Sequence, residues 1–218
     1  MVIAVDGPAG AGKSTVCRRL AEELGFIYLD TGAMYRTVAW ALLKNAINPR
    51  SDEDIERSLP DLPIGFSMEN SSLCIRYGGA RIGDDLRSPE ITQYASLVSQ
   101  RKPVRDFLTA WQRKLAAMGN VVAEGRDMGT VVFPDAEVKV FLTANLETRT
   151  QRRLLEYQMK GEPIDYKTLE AQIRARDEAD ESRAIAPMRA GDGVVILDSS
   201  HLTIDQVVRH LFIMASSA

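Results

Sequence analysis

Residues 2–15 read Val2-Ile3-Ala4-Val5-Asp6-Gly7-Pro8-Ala9-Gly10-Ala11-Gly12-Lys13-Ser14-Thr15. Val2 to Val5 are apolar without a polar interruption, the signature of a strand buried on both faces. The segment from Gly7 to Ser14 has the spacing Gly-x-x-x-x-Gly-Lys-Ser, and Lys13 to Leu24 carries Val16 and Leu20 on one helical face before Gly25. Strand, glycine-rich turn and helix in this order make a loop whose backbone N–H groups can wrap a β-phosphate at a helix's positive end. Lys13 is then expected to bridge the β- and γ-phosphate oxygens, and the Ser14 hydroxyl to ligate Mg²⁺. Thr15 completes the expected ATP-binding set, Gly7 to Thr15. The motif alone says that a nucleoside triphosphate is bound, since kinases, ATPases and switch proteins share it.

Working outward, four further apolar runs predict strands: Phe26 to Leu29, Val121 to Ala123, Val138 to Leu142 and Val194 to Leu197. Helical patterns fall between strands. Val104 to Met118 repeats Phe107, Leu108, Trp111 and Leu115, and a last helix follows Thr203, with Gln206 placed as a capping-box partner. Strands alternating with helices imply a parallel sheet covered on both sides, each strand buried on both faces. Between these elements Ile64 to Met68, Leu73 to Tyr77 and Ala80 to Ile82 read as short strands, separated by Asn70-Ser71 and Gly78-Gly79. Tight turns between successive strands predict an antiparallel insertion, over roughly residues 60–87, following a helix started by Ser51 and Asp54 and ending where Ser88-Pro89 begins the next.

The chain has 218 residues, 45% apolar and 26% charged, consistent with a single globular domain, 1–218, carrying an insertion. A net charge of −3 argues against a broad electrostatic grip on nucleic acid. Of the 27 basic residues 20 are Arg, whose planar fork suits phosphate oxygens. A base-composition bias accounts for the bulk number equally well, so position has to decide. Cys17 and Cys74 have no metal-ligand spacing and are expected to be buried thiols in a reducing compartment, and two histidines cannot build a multi-histidine metal site. No apolar run is long enough to cross a bilayer, and no leader pattern is present; a cytoplasmic protein without a membrane partner is the expectation.

In an open parallel sheet, ligands collect outside the carboxyl ends of the strands. There stand Asp30-Thr31-Gly32-Ala33-Met34-Tyr35-Arg36 and Glu124-Gly125-Arg126-Asp127-Met128-Gly129-Thr130. Arg126 is suited to clamping a phosphate and Asp127 to accepting from an exocyclic amino group; an internal ion pair is the structural alternative for both. In Thr168 to Arg183, the residues Ile173, Arg176, Asp180 and Arg183 share one helical face. Two arginines flanking a carboxylate suit phosphate and sugar hydroxyls, while Arg174, Asp177, Glu178 and Glu181 around them favour a solvated, salt-bridged surface helix. Gln151-Arg152-Arg153 precedes Lys160-Gly161-Glu162-Pro163, a candidate hinge, so that this segment is either a closing lid over residues 150–166 or an ordinary exposed basic helix.

Together, Asp30 to Arg36, Gly125-Arg126-Asp127-Met128-Gly129-Thr130-Val131-Val132-Phe133-Pro134 and Arg176-Asp177-Glu178-Ala179-Asp180-Glu181-Ser182-Arg183 resemble the bacterial cytidylate kinases. The similarity runs over nearly the whole chain. It implies an α/β fold with a five-stranded parallel core, a nucleoside-monophosphate-binding β insertion and a short lid. The activity implied is transfer of the γ-phosphoryl group of ATP, with Mg²⁺, to CMP and dCMP by a monomer. The resemblance assigns Ser96, Arg105 and Asp127 to the cytosine, Arg36, Arg126 and Arg183 to the monophosphate, and Arg176 and Asp180 to the pentose. Thr31, where the family often has Ser, lines the same site, and Arg152 and Arg153 correspond to the lid arginines that join Lys13, Arg126 and Arg183 at the transferring group. Another small acceptor, such as UMP or a shikimate-like alcohol, and a nucleotide-dependent switch or ATPase are the readings that remain open at the level of the sequence.

Overall fold

A computed structural model describes residues 1–83, 86 and 88–218. The expected insertion ends among residues 84, 85 and 87, which lie outside the described residues. The strands are β1 (Val2–Asp6), β2 (Ile27–Asp30), β3 (Ile64–Glu69), β4 (Ser72–Tyr77), β5 (Ala80–Arg81), β6 (Val121–Glu124), β7 (Val138–Thr143) and β8 (Val195–Asp198). The helices are α1 (Lys13–Leu24), α2 (Thr31–Lys44), α3 (Asp52–Ser58), α4 (Pro89–Val98), α5 (Lys102–Ala116), α6 (Leu146–Met159), α7 (Tyr166–Ser182) and α8 (Ile204–Ser216).

The strands form one sheet in the order β3-β4-β2-β6-β1-β7-β8, with β5 on β4. From β2 to β8 every pairing is parallel, the expected five-stranded core. β1 lies at its centre because Ile3, Ala4 and Val5 are wholly buried and accept neighbours on both edges. Val5 and Asp30 both stand level with Glu124, so the loops after β1, β2 and β6 leave from one edge of the sheet. One apolar core lies between that sheet and α2 to α5, including Leu42, Ile55, Val98 and Leu108. A second lies under α1 and α8, around Val16, Leu20, Val208 and Leu211. Ser51 caps α3 by accepting from the Asp54 N–H at 3.1 Å, and Thr203 and Gln206 close the expected capping box.

Three features refine the sequence reading. The insertion is an antiparallel meander, with Asn70-Ser71 and Gly78-Gly79 at positive φ as two-residue hairpin turns require. Its strand β4 extends the core sheet beyond the five expected strands by pairing parallel to β2, Tyr28 against Ser72. The parallel strands are not all buried on both faces. β8 is an edge strand, paired with β7 among the described residues, with Val195 47% and Ile196 63% exposed. Between β6 and β7 there is no full helix. A single π-helical turn, Met128–Val132, fills that place, a form common at functional sites.

Candidate active site

The loop between β1 and α1 depends on glycine where other chain segments press on it. Gly7 has φ 141°, and a Cβ there would lie 2.0 Å from the Leu142 carbonyl oxygen. Gly10 has φ 77°, and a Cβ would meet the Arg149 carbonyl oxygen at 3.0 Å and Arg153 Cγ at 3.2 Å. At these two positions the loop is packed against β7 and α6 with no room for a side chain. Lys13 Nζ donates to the carbonyl oxygens of Gly7 and Pro8, both at 2.7 Å. Burial, followed by the neighbouring Arg126 guanidinium, lowers this ammonium to about 7. A lysine held this far from water gains strongly from an arriving polyphosphate.

Ser14 is exposed at the start of α1 with Thr15 beside it, and its hydroxyl donates to Glu124 Oε2 at 3.0 Å. The Tyr28 hydroxyl donates to Glu124 Oε1, and the Thr31 hydroxyl to the Glu124 carbonyl at 2.6 Å. Burial first, then Asp30, raises the Glu124 carboxyl above its ordinary value. Hydroxyl and carboxylate side by side are hard oxygen donors of the kind Mg²⁺ takes when phosphates supply its other ligands. The chemistry of this pair fits the ion.

Five of the acceptor candidates, Arg105, Asp127, Arg183, Asp180 and Arg126, form one connected ion network. Asp127 accepts from Arg105 and, at 3.2 Å, from Arg183. Arg183 lies 3.9 Å from Asp180, and Asp180 accepts from Arg126 Nε at 2.9 Å. Arg105, Asp127, Asp180 and Arg183 are each buried, and burial lowers the Arg183 guanidinium below its usual value. Of the two sequence readings of Arg126 and Asp127, the internal ion pair is the one seen here, Arg126 with Asp180 and Asp127 with Arg105 and Arg183. Arg36 pairs with Asp30 at 3.2 Å while Asp30 also caps α2, accepting from the Ala33 N–H at 2.8 Å. Arg176, lowered to about 10 by burial and then by Arg126, keeps its Nε without a partner among the described residues, as does Arg36. Ser96 is half-buried on α4, one turn from Ser99, whose carbonyl accepts from Arg105 at 3.2 Å.

The two expected lid arginines lie elsewhere. Arg152 donates to the Ser199 carbonyl at 2.7 Å and to the Ala11 carbonyl at 3.3 Å, and Arg153 pairs with Glu156 over the Tyr157 ring. Both stand against the loop but not in the acceptor network. Asp177, read from the sequence as one of the solvated neighbours of Arg176, is buried and pairs with Arg149. Arg149 in turn donates to the Ala9 carbonyl at 3.2 Å, which ties α7 to the phosphate loop. A helix face judged by charge alone looks solvated when its partner lies far away in sequence.

Asp6, Arg149 and Tyr28 are site residues that sequence reasoning missed. Asp6 Oδ1 and Oδ2 accept the N–H groups of Met128 and Gly129 at 2.7 and 2.8 Å, so the end of β1 holds the π-turn next to Asp127. The signal was available: a carboxylate at the end of an apolar strand is costly unless buried donors meet it.

The sequence profile of the family described as cytidylate kinase matches residues 3–217. A cytidylate kinase of Thermosipho melanesiensis is 46% identical over 209 residues, covering 96% of this chain and 94% of its own. One of Geobacter sulfurreducens is 44% identical over 208 residues, 95% of this chain and 89% of its own. A solved structure of an uncharacterized protein from Eubacterium ventriosum, 14% identical, superposes with a TM-score of 0.55 over 100% of this chain and 99% of that one, a likeness of fold.

Proposed function

The chain belongs to the cytidylate kinase family, and from that premise we propose that it moves the γ-phosphoryl group of ATP to CMP, and to dCMP, giving ADP and the diphosphate. The observation that carries the acceptor side is the continuous run Arg105–Asp127–Arg183–Asp180–Arg126, which leads from a buried carboxylate to the rim of the phosphate loop. ATP lies on Gly7 to Thr15. CMP enters opposite, with Arg36, Arg126 and Arg183 on its phosphate, Thr31 beside them, Ser96, Arg105 and Asp127 on the base, and Arg176 and Asp180 on the pentose.

Phosphoryl transfer asks a protein chiefly for alignment and charge neutralisation. The acceptor phosphate is already largely ionised at neutral pH, so no residue has to act as a base. Two anions must approach one another, and the cations converging from α2, the π-turn loop and α7 offset that repulsion. Lys13 exchanges two carbonyl partners for phosphate oxygens, and Arg126 and Arg183 exchange Asp180 and Asp127 in part for the acceptor phosphate. Mg²⁺ would be held by Ser14 with Glu124 behind it and would supply neutralisation of charge on the triphosphate. Residues 150–166, with Arg152 and Arg153, form a lid whose closure excludes water and suppresses hydrolysis. The enzyme works as a monomer with small-molecule substrates, and no described helix is long and apolar enough to cross a membrane.

An ADP-release assay over a panel of nucleoside monophosphates tests the assignment. CMP and dCMP should be the preferred acceptors, with UMP behind. A preference for another acceptor class would assign the cations to a different substrate.

A further inference from the structure

Tyr35 stands on α2 one residue before Arg36 and is only 9% exposed. Its ring belongs to the core between α2 and the sheet, and the Arg105 guanidinium carbon lies 5.8 Å from the ring centroid. The phenol oxygen is shut off from solvent, and among the described residues no group hydrogen-bonds to it. A buried hydroxyl without a partner is costly to leave so, which makes it informative wherever it persists. The ionisable groups that bear on this one are Arg105, Asp127 and Arg183, the members of the acceptor network. Of the seven other buried side-chain atoms without partners among the described residues, two, Arg36 Nε and Arg176 Nε, belong to residues assigned to the same acceptor. Burial pushes the phenol up to about 12, so the hydroxyl keeps its proton and is available as a donor at neutral pH.

The chemistry of the ligand defines what is missing. Asp127 accepts from the guanidinium groups of Arg105 and Arg183, and an acceptor there suits an exocyclic amino group. The edge of a cytosine also carries two acceptor atoms, a ring nitrogen and a carbonyl oxygen, and these require donors. Arg105 is one donor close to Asp127. We propose that the Tyr35 hydroxyl is a further base-reading contact, donating to one of those pyrimidine acceptor atoms beside Arg105 and Asp127. The proposal rests on the acceptor reading above and adds a residue to it. It gives the buried hydroxyl a hydrogen-bond partner supplied by the substrate.

Tyr35→Phe removes one oxygen and keeps the ring, so packing is preserved. Calorimetric titration should show CMP and dCMP binding weakened alike by about fivefold to tenfold, with ATP affinity unchanged within about twofold. Thermal unfolding of the free variant should occur at the wild-type temperature or above it, because an unsatisfied hydroxyl has been deleted. Unchanged CMP affinity in the variant would overturn the proposal. So would a lower unfolding temperature with CMP and ATP weakened equally, which marks a structural hydroxyl. Wild-type protein that takes up no CMP would instead defeat the acceptor reading itself, whereas wild-type binding with an indifferent variant defeats the Tyr35 contact alone.

Discussion

Asp6 and Gly129, separated by 123 positions in the chain, are joined by a hydrogen bond of 2.8 Å from the glycine N–H to the aspartate Oδ2. The last residue before the phosphate loop thereby fixes the turn that follows Asp127. Donor loop and acceptor loop are held in register by one carboxylate, with Met128 N–H on its other oxygen.

Burial raises the Asp6 carboxyl from 3.8 to about 6, against the opposing effect of the two N–H donors. The folded protein therefore holds the proton more tightly than the unfolded chain does. The stability contribution of this group is fully present in acid below the unfolded value and is lost as pH rises through about 6. Wild-type stability minus that of Asp6→Asn, from urea unfolding, should decline from about pH 4 to about pH 6 and be flat above. A difference that grows over this window would refute the assignment.

Lys13→Ala should lower phosphoryl transfer by about a hundredfold or more, because it removes the cation aimed at the transferring oxygens. CMP binding, measured separately, should survive. Near-normal turnover would remove Lys13 from the chemistry.

Asp127→Ala leaves Arg105 and Arg183 buried without their shared counter-ion. The expected loss of stability is about 3–5 kcal/mol, since an unpaired buried charge is the costly case. Enough folded protein for titration should remain at low temperature, and there CMP should weaken far more than ATP. Equal weakening of both nucleotides would contradict a base-reading role.

Arg126→Ala should raise the KM for CMP more than Arg126→Lys does, and the lysine variant should remain short of wild type. Arg126 reaches Asp180 through Nε and the Gly125 carbonyl through Nη1, a fork that an ammonium cannot reproduce. Full rescue by lysine in steady-state kinetics would show that only charge matters at this position.

How much of this was legible in the sequence varied with the range of the interaction. The β1–loop–α1 unit, the caps at Ser51 and Thr203 and the hairpin turns at Asn70-Ser71 and Gly78-Gly79 are local, and residue type and spacing announce them. The exposure of β8 was not announced, because an apolar run reads the same at the edge of a sheet as at its centre. Arg149–Asp177 was hidden for a related reason: it pairs residues distant in the chain, and on a charged helix a buried charge is distinguished from a solvated one only by its partner, whereas Asp6 at the end of an apolar strand did carry a signal. The face of Arg176, Asp180 and Arg183 lay between these cases. Its helical spacing was plain, but its ion pairs required knowing that Arg126 and Asp127 stand opposite it.

The most direct test supplies ATP labelled at the γ-phosphate, Mg²⁺ and CMP, and identifies the labelled product after a single turnover. Label in the β-phosphate of CDP, in amount equal to the ADP formed, is the predicted result. Label released as inorganic phosphate at the same rate with or without CMP would contradict it.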